Sequence, residues 1–158
     1  MIRSIISPMA RHVMTAALLL TLAGCGGSPP PPVLKLTIAG SAEQNPDPTG
    51  RASPVAVRVY QLTGTGKFNQ ADVFALKDNE AKTLAGEEAG GSEQFLIAPG
   101  DTKTVTINLK PSVASIGIAV MYRDIDRAKW RATEAARPSG TTTVSATIGK
   151  LALTMKGG

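Results

Sequence analysis

The chain has 158 residues, 42% of them hydrophobic, and carries a formal net charge of +5 at pH 7. This length is enough for one domain with a buried core. The basic residues are scattered singly among acidic ones, which argues against nucleic acid as a partner. With one cysteine and one histidine, the chain cannot form an internal disulfide or a zinc site built from several such ligands.

Residues 1–24 have the parts of a bacterial signal peptide. Arg3 and Arg11 provide a positive start, and residues 13–22 form an apolar stretch of signal length that is too short to span a bilayer. The letters LAGC follow at residues 22–25 and resemble a lipobox, in which the signal is cut before a cysteine that carries lipid. We therefore predict a lipoprotein signal peptide that ends just before this cysteine.

Cys25 is predicted to become the first residue of the mature protein and to carry covalent lipid, with no other cofactor. Because each buried methylene contributes about 0.8 kcal/mol, two or three acyl chains hold a protein stably on a membrane. Position 26 is Gly rather than Asp, which by resemblance to enterobacterial lipoproteins favours the outer membrane. The alternative is an ordinary secretory signal with an accidental cysteine.

The predicted mature chain has no histidine, because His12 belongs to the signal. Without histidine it cannot form a Ser-His-Asp or Cys-His triad. We therefore expect no catalytic residues and no metal site, and we predict that the protein is not an enzyme. A site made of carboxylates alone stays open.

A tether is predicted at residues 25–32. Its glycines are flexible, and its four prolines favour an extended polyproline helix of about 3.1 Å per residue. We expect this segment to hold a domain spanning residues 33–158 away from the lipid head groups.

Beyond residue 32, hydrophobic and polar residues mostly alternate, which is typical of half-buried β-strands. Turn sequences such as APGD at residues 98–101 separate the alternating segments. The pattern predicts a mainly β fold, an antiparallel β-sandwich of about seven to eight strands. The predicted strands cover residues 33–38, 55–62, 94–97, 102–109, 116–122, 141–148 and 150–156.

One segment between the second and third strands breaks the alternation, and we predict a small helical insertion at residues 68–86. Asn69 is expected to cap the helix start, with Asp72 three residues later. A second short helical turn is expected at residues 79–84. Four apolar side chains are expected to pack onto the sandwich: Phe68, Val73, Phe74 and Leu76.

The connection between the first two strands, residues 39–54, is long for a hairpin loop, which usually has roughly two to five residues. It is rich in turn formers and has no large apolar side chain. Long polar loops on a rigid scaffold are often recognition elements; the alternative is a disordered connection. The candidate partner-binding residues are Glu43, Gln44, Asn45, Pro46, Asp47, Pro48, Thr49, Gly50 and Arg51.

A second dense polar region, residues 122–131, alternates carboxylates with basic residues and contains the only tryptophan. Asp124 and Asp126 are candidates for a metal or acid–base pair. The interpretation that we favour is an ion-paired structural corner with Trp130 packed beneath it, in which Arg58 is a further partner for the acids. The residues assigned to this corner are Arg58, Tyr122, Arg123, Asp124, Asp126 and Trp130.

Four features together resemble one known family. They are the lipobox, the letters SPVAVRVYQL at residues 53–62, Phe68-Asn69 before a short helix, and YRDI at residues 122–125 with Trp130-Arg131 after it. They occur in the order found in the outer-membrane lipoproteins of type VI secretion, the TssJ (SciN/VasD) family, and cover nearly the whole predicted mature chain.

This resemblance implies a transthyretin-like β-sandwich with an added helical element. It also implies a lipid anchor in the outer membrane, a periplasmic orientation, and binding to the periplasmic C-terminal part of TssM, an inner-membrane protein. TssL would complete the same membrane complex. In the family the loop after the first strand carries the TssM contact, and that loop corresponds here to residues 40–52.

Two other functions fit part of the sequence. Transthyretin-like sandwiches also serve as periplasmic ligand-binding or hydrolytic modules, which would need a polar pocket. A long polar loop would equally suit an inhibitor lipoprotein that blocks an enzyme.

Overall fold

The computed structural model describes residues 28–158, so the predicted signal peptide, Cys25 and the start of the tether lie outside the described residues. The described chain forms a sandwich of two four-stranded sheets, with strand orders β4-β1-β7-β8 and β3-β2-β5-β6. The strands are β1 (Val33–Gly40), β2 (Val55–Leu62), β3 (Glu88–Ile97), β4 (Thr102–Asn108), β5 (Ser115–Val120), β6 (Arg131–Ala135), β7 (Thr141–Ile148) and β8 (Leu153–Gly157). The predicted mainly β sandwich is confirmed.

The main core lies between the two sheets and follows the alternation seen in the sequence. Leu34, Leu36 and Ile38 of β1 are fully buried, and they face Val57 and Ile118 of the other sheet within one continuous apolar cluster. Each such side chain contributes about 1.5–3 kcal/mol by leaving water. This burial sets which face of each strand points inward.

Three features of the sheets were not predicted. β3 begins at Glu88, six residues before the predicted start, and β6 was not predicted at all. Both are edge strands with many half-exposed residues, so their alternation is weak. β1 pairs with β7 in parallel, whereas the other pairings between strands of the described chain are antiparallel.

The helical insertion consists of three short helices, α1 (Gly66–Gln70), α2 (Val73–Asp78) and α3 (Glu80–Leu84). They pack on the outer face of the β2 sheet through a second apolar cluster, whose fully buried members include Phe68, Leu76 and Leu84. Phe68 lies against Tyr60 of β2, with ring centroids 5.3 Å apart. Gly117 of β5 leaves room for this contact, because a Cβ there would lie 3.1 Å from the Phe68 ring.

Two details of the predicted insertion were wrong. Asn69 lies inside α1, and the cap of α2 is Asp72, whose carboxylate accepts hydrogen bonds from the backbone N–H groups of Phe74 (2.8 Å) and Ala75 (3.2 Å). The Phe74 side chain is 59% exposed rather than packed on the sandwich. Ala71 is extended, with φ −66° and ψ 146°, and separates the end of α1 from the start of α2.

The sandwich has two distinct ends. At the tether end, the Pro32 carbonyl accepts a hydrogen bond from the Leu109 N–H (3.0 Å), and the Pro30 carbonyl accepts one from the Gly140 N–H (3.2 Å). β1 then runs eight residues away from the tether, about 25 Å at roughly 3.3 Å per residue. The opposite end, here called the distal end, consists of residues 41–54, 98–101, 121–130 and 149–152.

Within residues 28–158, no helix combines the length and the hydropathy needed to cross a membrane.

Candidate partner-binding surface

The loop after β1 is an ordered, hairpin-like excursion. The Gln44 carbonyl accepts a hydrogen bond from the Ser53 N–H (3.1 Å), and the Arg51 carbonyl accepts one from the Asp47 N–H (2.8 Å). The tip closes with a turn in which the Gly50 N–H donates to the Asp47 carbonyl (2.8 Å). Gly50 has φ +85°, a conformation that favours glycine.

Asp47 organises the tip of this loop. Its carboxylate accepts hydrogen bonds from the hydroxyl (2.6 Å) and N–H (2.9 Å) of Thr49, and from the N–H (3.0 Å) and Nε (3.1 Å) of Arg51. The Thr49 and Arg51 hydrogen bonds lower the pKa of Asp47 to about 2. The tip is therefore held in one shape before any partner arrives, which reduces the entropy lost on binding.

The base of the loop is fixed by two buried amide side chains. Gln44 is fully buried, and its Nε2 donates to the Ile97 carbonyl (2.8 Å). Asn45 is 3% exposed; its Nδ2 donates to the Pro54 carbonyl (2.9 Å), and its Oδ1 accepts from the Arg123 N–H (2.8 Å). Asn45 also has φ +46°, which asparagine adopts more readily than most residues.

Gln44 and Asn45 were predicted as partner contacts, and the structure instead buries both beneath the loop. Gly40 is the reason Gln44 fits, because a Cβ at residue 40 would collide with the Gln44 amide and lie 2.8 Å from the Ala98 carbonyl. Of the predicted loop residues, those that reach the surface are Glu43, Pro46, Asp47, Pro48, Thr49, Gly50 and Arg51, of which Pro46 and Asp47 are partly covered.

The bond from Asn45 to Arg123 joins two regions that are far apart in the sequence. A groove of about 430 Å³ separates the loop from the segment 121–130 at the distal end. Its walls are formed by Pro46, Asp47, Pro48 and Gly50 on one side and by Arg123, Asp124, Arg127, Lys150 and Leu151 on the other. Lys150 and Leu151 were not among the candidate site residues. The sequence predicts the turn between β7 and β8 in which these two residues lie. The position of that turn beside the loop depends on the parallel pairing of β1 with β7, which was not predicted.

Some of the charged side chains around this groove form ion pairs, and others do not. Asp47 is engaged by Arg51, and the Asp124 carboxylate pairs with Arg127 at 2.6 Å. Arg123 and Lys150 form no ion pair among residues 28–158. The groove therefore presents net positive charge to solvent.

The segment 121–130 forms a packed corner. Tyr122 is buried and donates from its hydroxyl to the Gly149 carbonyl (3.2 Å), and burial raises the pKa of this hydroxyl to about 12. Trp130 is half-buried and contacts both apolar clusters. The Arg131 guanidinium lies 4.6 Å from the centre of the Trp130 ring and donates to the Phe68 carbonyl (3.0 Å). The corner thus connects the sandwich to the helical insertion.

Arg58 does not reach these acids, contrary to the prediction. Its guanidinium instead pairs with Glu80 of α3 (3.0 Å) and donates to the carbonyls of Leu76 (3.1 Å) and Lys77 (3.3 Å). Arg58 therefore fastens the insertion to β2. Asp126 is exposed, and in the described part of the chain no group of three or more His, Cys, Asp or Glu side chains could hold a metal ion.

A family model matches residues 32–151 of the chain. It describes the type VI secretion lipoproteins, including VasD, EvfM and TssJ, under the family name T6SS-SciN. No curated protein sequence matches the chain.

Solved structures show the same fold. The T6SS lipoprotein TssJ1 from Pseudomonas aeruginosa is 30% identical, with a TM-score of 0.77 over 82% of this chain and 98% of that one. A chain of a structure named "Type VI membrane complex" is 25% identical, with a TM-score of 0.68 over 79% and 98%. A chain of the structure named "T6SS protein TssM C-terminal domain (869-1107) from EAEC" is 23% identical, with a TM-score of 0.63 over 79% and 98%.

Proposed function

The chain belongs to the type VI secretion lipoprotein family, and from this premise we propose that it links the outer membrane to the periplasmic C-terminal domain of a TssM-type inner-membrane protein. Binding would use the distal-end loop and the groove beside it. TssL would belong to the same complex. The role is assembly rather than catalysis.

The observation that carries this proposal is the rigid loop at the end farthest from the tether. A lipid at Cys25 would hold the tether end toward the outer membrane, and the distal end would then face the periplasm. Because the loop base is buried and its tip is internally hydrogen-bonded, exposed residues such as Pro48 and Thr49 are presented in a fixed geometry. Because each protein is held at a membrane that borders the same periplasmic space, the effective concentration of the partner is raised and a modest interface is sufficient.

The choice of TssM is supported by the EAEC structure. The alignment covers 98% of the matched chain but only 79% of our 158 residues, so that chain is much shorter than the segment 869–1107 in the structure's name. The matched chain is therefore not the whole named segment, and the name of the structure is what associates this fold with a TssM domain. The proposal carries that association over to the present protein.

Capture of the partner from detergent-solubilised membranes tests the proposal. Pro48→Arg places a long charged side chain at the loop tip, and Pro138→Arg places the same side chain at an exposed turn near the tether end. We expect wild type and Pro138→Arg to capture the TssM-type protein, and Pro48→Arg to lose it. Failure of wild type to capture it would overturn the proposal and return attention to ligand-binding and inhibitor functions.

The anchor is tested separately, because binding and anchoring depend on opposite ends of the molecule. Cys25→Ala removes the acceptor for lipid, so we expect the protein to leave the outer-membrane fraction and secretion to stop. The variant should still bind the isolated periplasmic domain of the partner, since the distal end is unchanged. Normal membrane fractionation and secretion by Cys25→Ala would contradict the anchoring proposal.

A further inference from the structure

A second groove lies at the distal end, between α2 and the segment that follows β5. It has a volume of about 240 Å³ and is lined by Val73, Phe74, Lys77, Met121, Tyr122, Arg123 and Ile125. This volume is below the roughly 300–1,000 Å³ typical of small-molecule pockets. Its size and its place on the surface suit a side chain of another protein better than a free ligand.

Phe74 is the most informative residue of this groove. Phe74 and Leu96 are the two large hydrophobic side chains exposed in the described chain, at 59% and 71%. Leu96 lies on the edge strand β3, whereas Phe74 borders a groove with Met121 and Ile125. The fold does not need the Phe74 ring, because the neighbouring Val73 and Leu76 attach α2 to the sandwich and are buried.

The groove has the composition of an interface core. Aromatic residues, methionine and arginine are enriched at the centres of protein–protein interfaces, and Phe74, Met121 and Arg123 are all present here. The residues that dominate binding energy lie in well-packed pockets near the centre of an interface, and Phe74 borders such a depression. This groove is therefore suited to bury an apolar side chain of a partner.

The charged residues that line the groove indicate which chemical group the occupant carries. Among residues 28–158, Lys77 and Arg123 are the charged residues that line the groove, and no acidic residue lines it. Lys77 has only a loose, solvent-exposed contact with Asp78 at 3.7 Å, and Arg123 forms no ion pair among residues 28–158. A carboxylate next to the apolar side chain of the occupant would meet two available cations.

Arg123 makes this groove continuous with the loop groove, because it lines both. Its N–H is held by Asn45 at the base of the loop (2.8 Å), so the two grooves have a fixed relation to each other. A partner seated against the loop would therefore lie next to the second groove.

We propose that the α2 groove is a second contact for the TssM-type partner and that it receives an apolar side chain flanked by a carboxylate. This inference rests on the proposed function, since the occupant belongs to the same partner as the loop contact. It adds a residue set, centred on Phe74, that the loop does not include.

Affinity measurements with full-length lipidated protein in detergent test this proposal, using the purified periplasmic C-terminal domain of the TssM-type protein as the probe. Phe74→Ala is expected to weaken binding at least tenfold. Leu96→Ala is the matched control, because it removes the other exposed large hydrophobic side chain, and its affinity should stay within twofold of wild type. Thermal unfolding midpoints should be unchanged for both variants, since both side chains are exposed.

A charge-reversal pair tests the second half of the proposal. Lys77→Glu should weaken binding at least threefold, and the loss should shrink at high salt because screening removes the repulsion. Lys82→Glu on α3 reverses an equivalent exposed charge away from the groove and should have no effect.

The outcomes separate this inference from the proposed function. If wild type binds, Pro48→Arg does not, and Phe74→Ala binds as tightly as Leu96→Ala, the loop contact stands and the α2 groove is overturned. If wild type itself does not bind, the proposed function and this inference are both overturned. Equal losses for Lys77→Glu and Lys82→Glu would overturn the carboxylate assignment, leaving the apolar contact to be judged on Phe74→Ala.

Discussion

The two long connections of this sandwich, the loop at residues 41–54 and the insertion at residues 63–87, are held in opposite ways. The loop contains no helix or strand and is fixed by buried amides, chiefly Gln44 and Asn45. The insertion forms three helices and is fixed by buried apolar side chains such as Phe68 and Leu76. The first depends on a few directional hydrogen bonds, and the second on buried area.

This difference predicts how each connection fails. Removing an apolar side chain from the insertion leaves a cavity, and its cost grows with the volume removed. Removing an amide from the loop base leaves backbone groups without hydrogen-bond partners and frees the tip. It should therefore lower the free energy of unfolding less, but disturb the shape of the loop more. The predictions below test that contrast, from the largest expected effect on stability to the smallest.

Phe68→Ala should destabilise the protein by about 3–5 kcal/mol, the usual cost of emptying a buried aromatic site. Trp130 is the only tryptophan and contacts the same cluster, so its fluorescence during urea unfolding reports the change directly. The loop contact with the partner should survive in the fraction that remains folded, because the loop base does not use Phe68. A loss below about 1 kcal/mol would show that the insertion is not held by apolar burial.

Asn45→Ala should cost about 1–3 kcal/mol, because the Arg123 N–H and the Pro54 carbonyl lose their partner and alanine is strained at φ +46°. Unlike Phe68→Ala, it should abolish partner binding by freeing the loop from the corner. Hydrogen exchange across residues 41–54 should rise, while exchange in the insertion should not. Unchanged exchange in the loop would contradict the assignment of Asn45 as its anchor.

Glu88→Gln should make the stability of the protein less dependent on pH. Burial, followed by the neighbouring Glu80 carboxylate, raises the pKa of Glu88 from 4.5 to about 7. Between these values the folded protein keeps a proton that the unfolded chain releases, so stability is highest below about pH 4.5 and falls as pH rises through 7. The effect should not exceed about 1 kcal/mol, because Glu88 is partly solvated.

Unfolding midpoints of wild type and Glu88→Gln measured from pH 5 to pH 8 check this expectation. The charged groups near Glu88 are Glu80, which also accepts a hydrogen bond from Ser92 (2.6 Å), and Arg58. The wild-type midpoint should fall across this range and the variant's should fall less. Parallel curves would show that Glu88 does not titrate there.

Asp47→Asn should have the smallest effect on stability and a clear effect on the loop tip. The pKa of Asp47 is lowered from 3.8 to about 2, so its contribution is fully present above pH 3.8 and is lost as pH falls through 2. At neutral pH the substitution weakens the hydrogen bonds to Thr49 and Arg51. We expect partner affinity to fall severalfold with no measurable change in unfolding midpoint, and equal affinity would indicate that the tip needs no internal order.

The sequence predicted the sandwich well where alternation was strong. β2 was placed at its observed bounds, Val55–Leu62, because the buried Val55, Val57 and Val59 alternate with half-buried residues. β6, the letters RATEA, was not predicted, because its first four residues are all half-buried and show no alternation. Gly90 and Gly91, both with positive φ, obscured the start of β3.

The loop after β1 was predicted as the candidate partner-binding surface, but the sequence did not show which of its residues are buried and which are exposed. Gln44 and Asn45 are polar residues of the kind usually found on surface loops. They are buried because the fold brings the carbonyls of Ile97 and Pro54 within hydrogen-bond distance of their amides. Arg58 was assigned to the wrong acids for the same reason, since Glu80 approaches it only when α3 packs on β2. The exposure of Phe74 followed from the cap at Asp72, one helical turn later than expected.

The most direct test of the central claim is the affinity of the TssM-type periplasmic domain for full-length protein, compared between wild type, Pro48→Arg and Pro138→Arg. We predict that wild type and Pro138→Arg bind equally and that Pro48→Arg loses binding while keeping its unfolding midpoint. Equal binding by Pro48→Arg and Pro138→Arg would contradict the claim that the distal loop is the partner-binding surface.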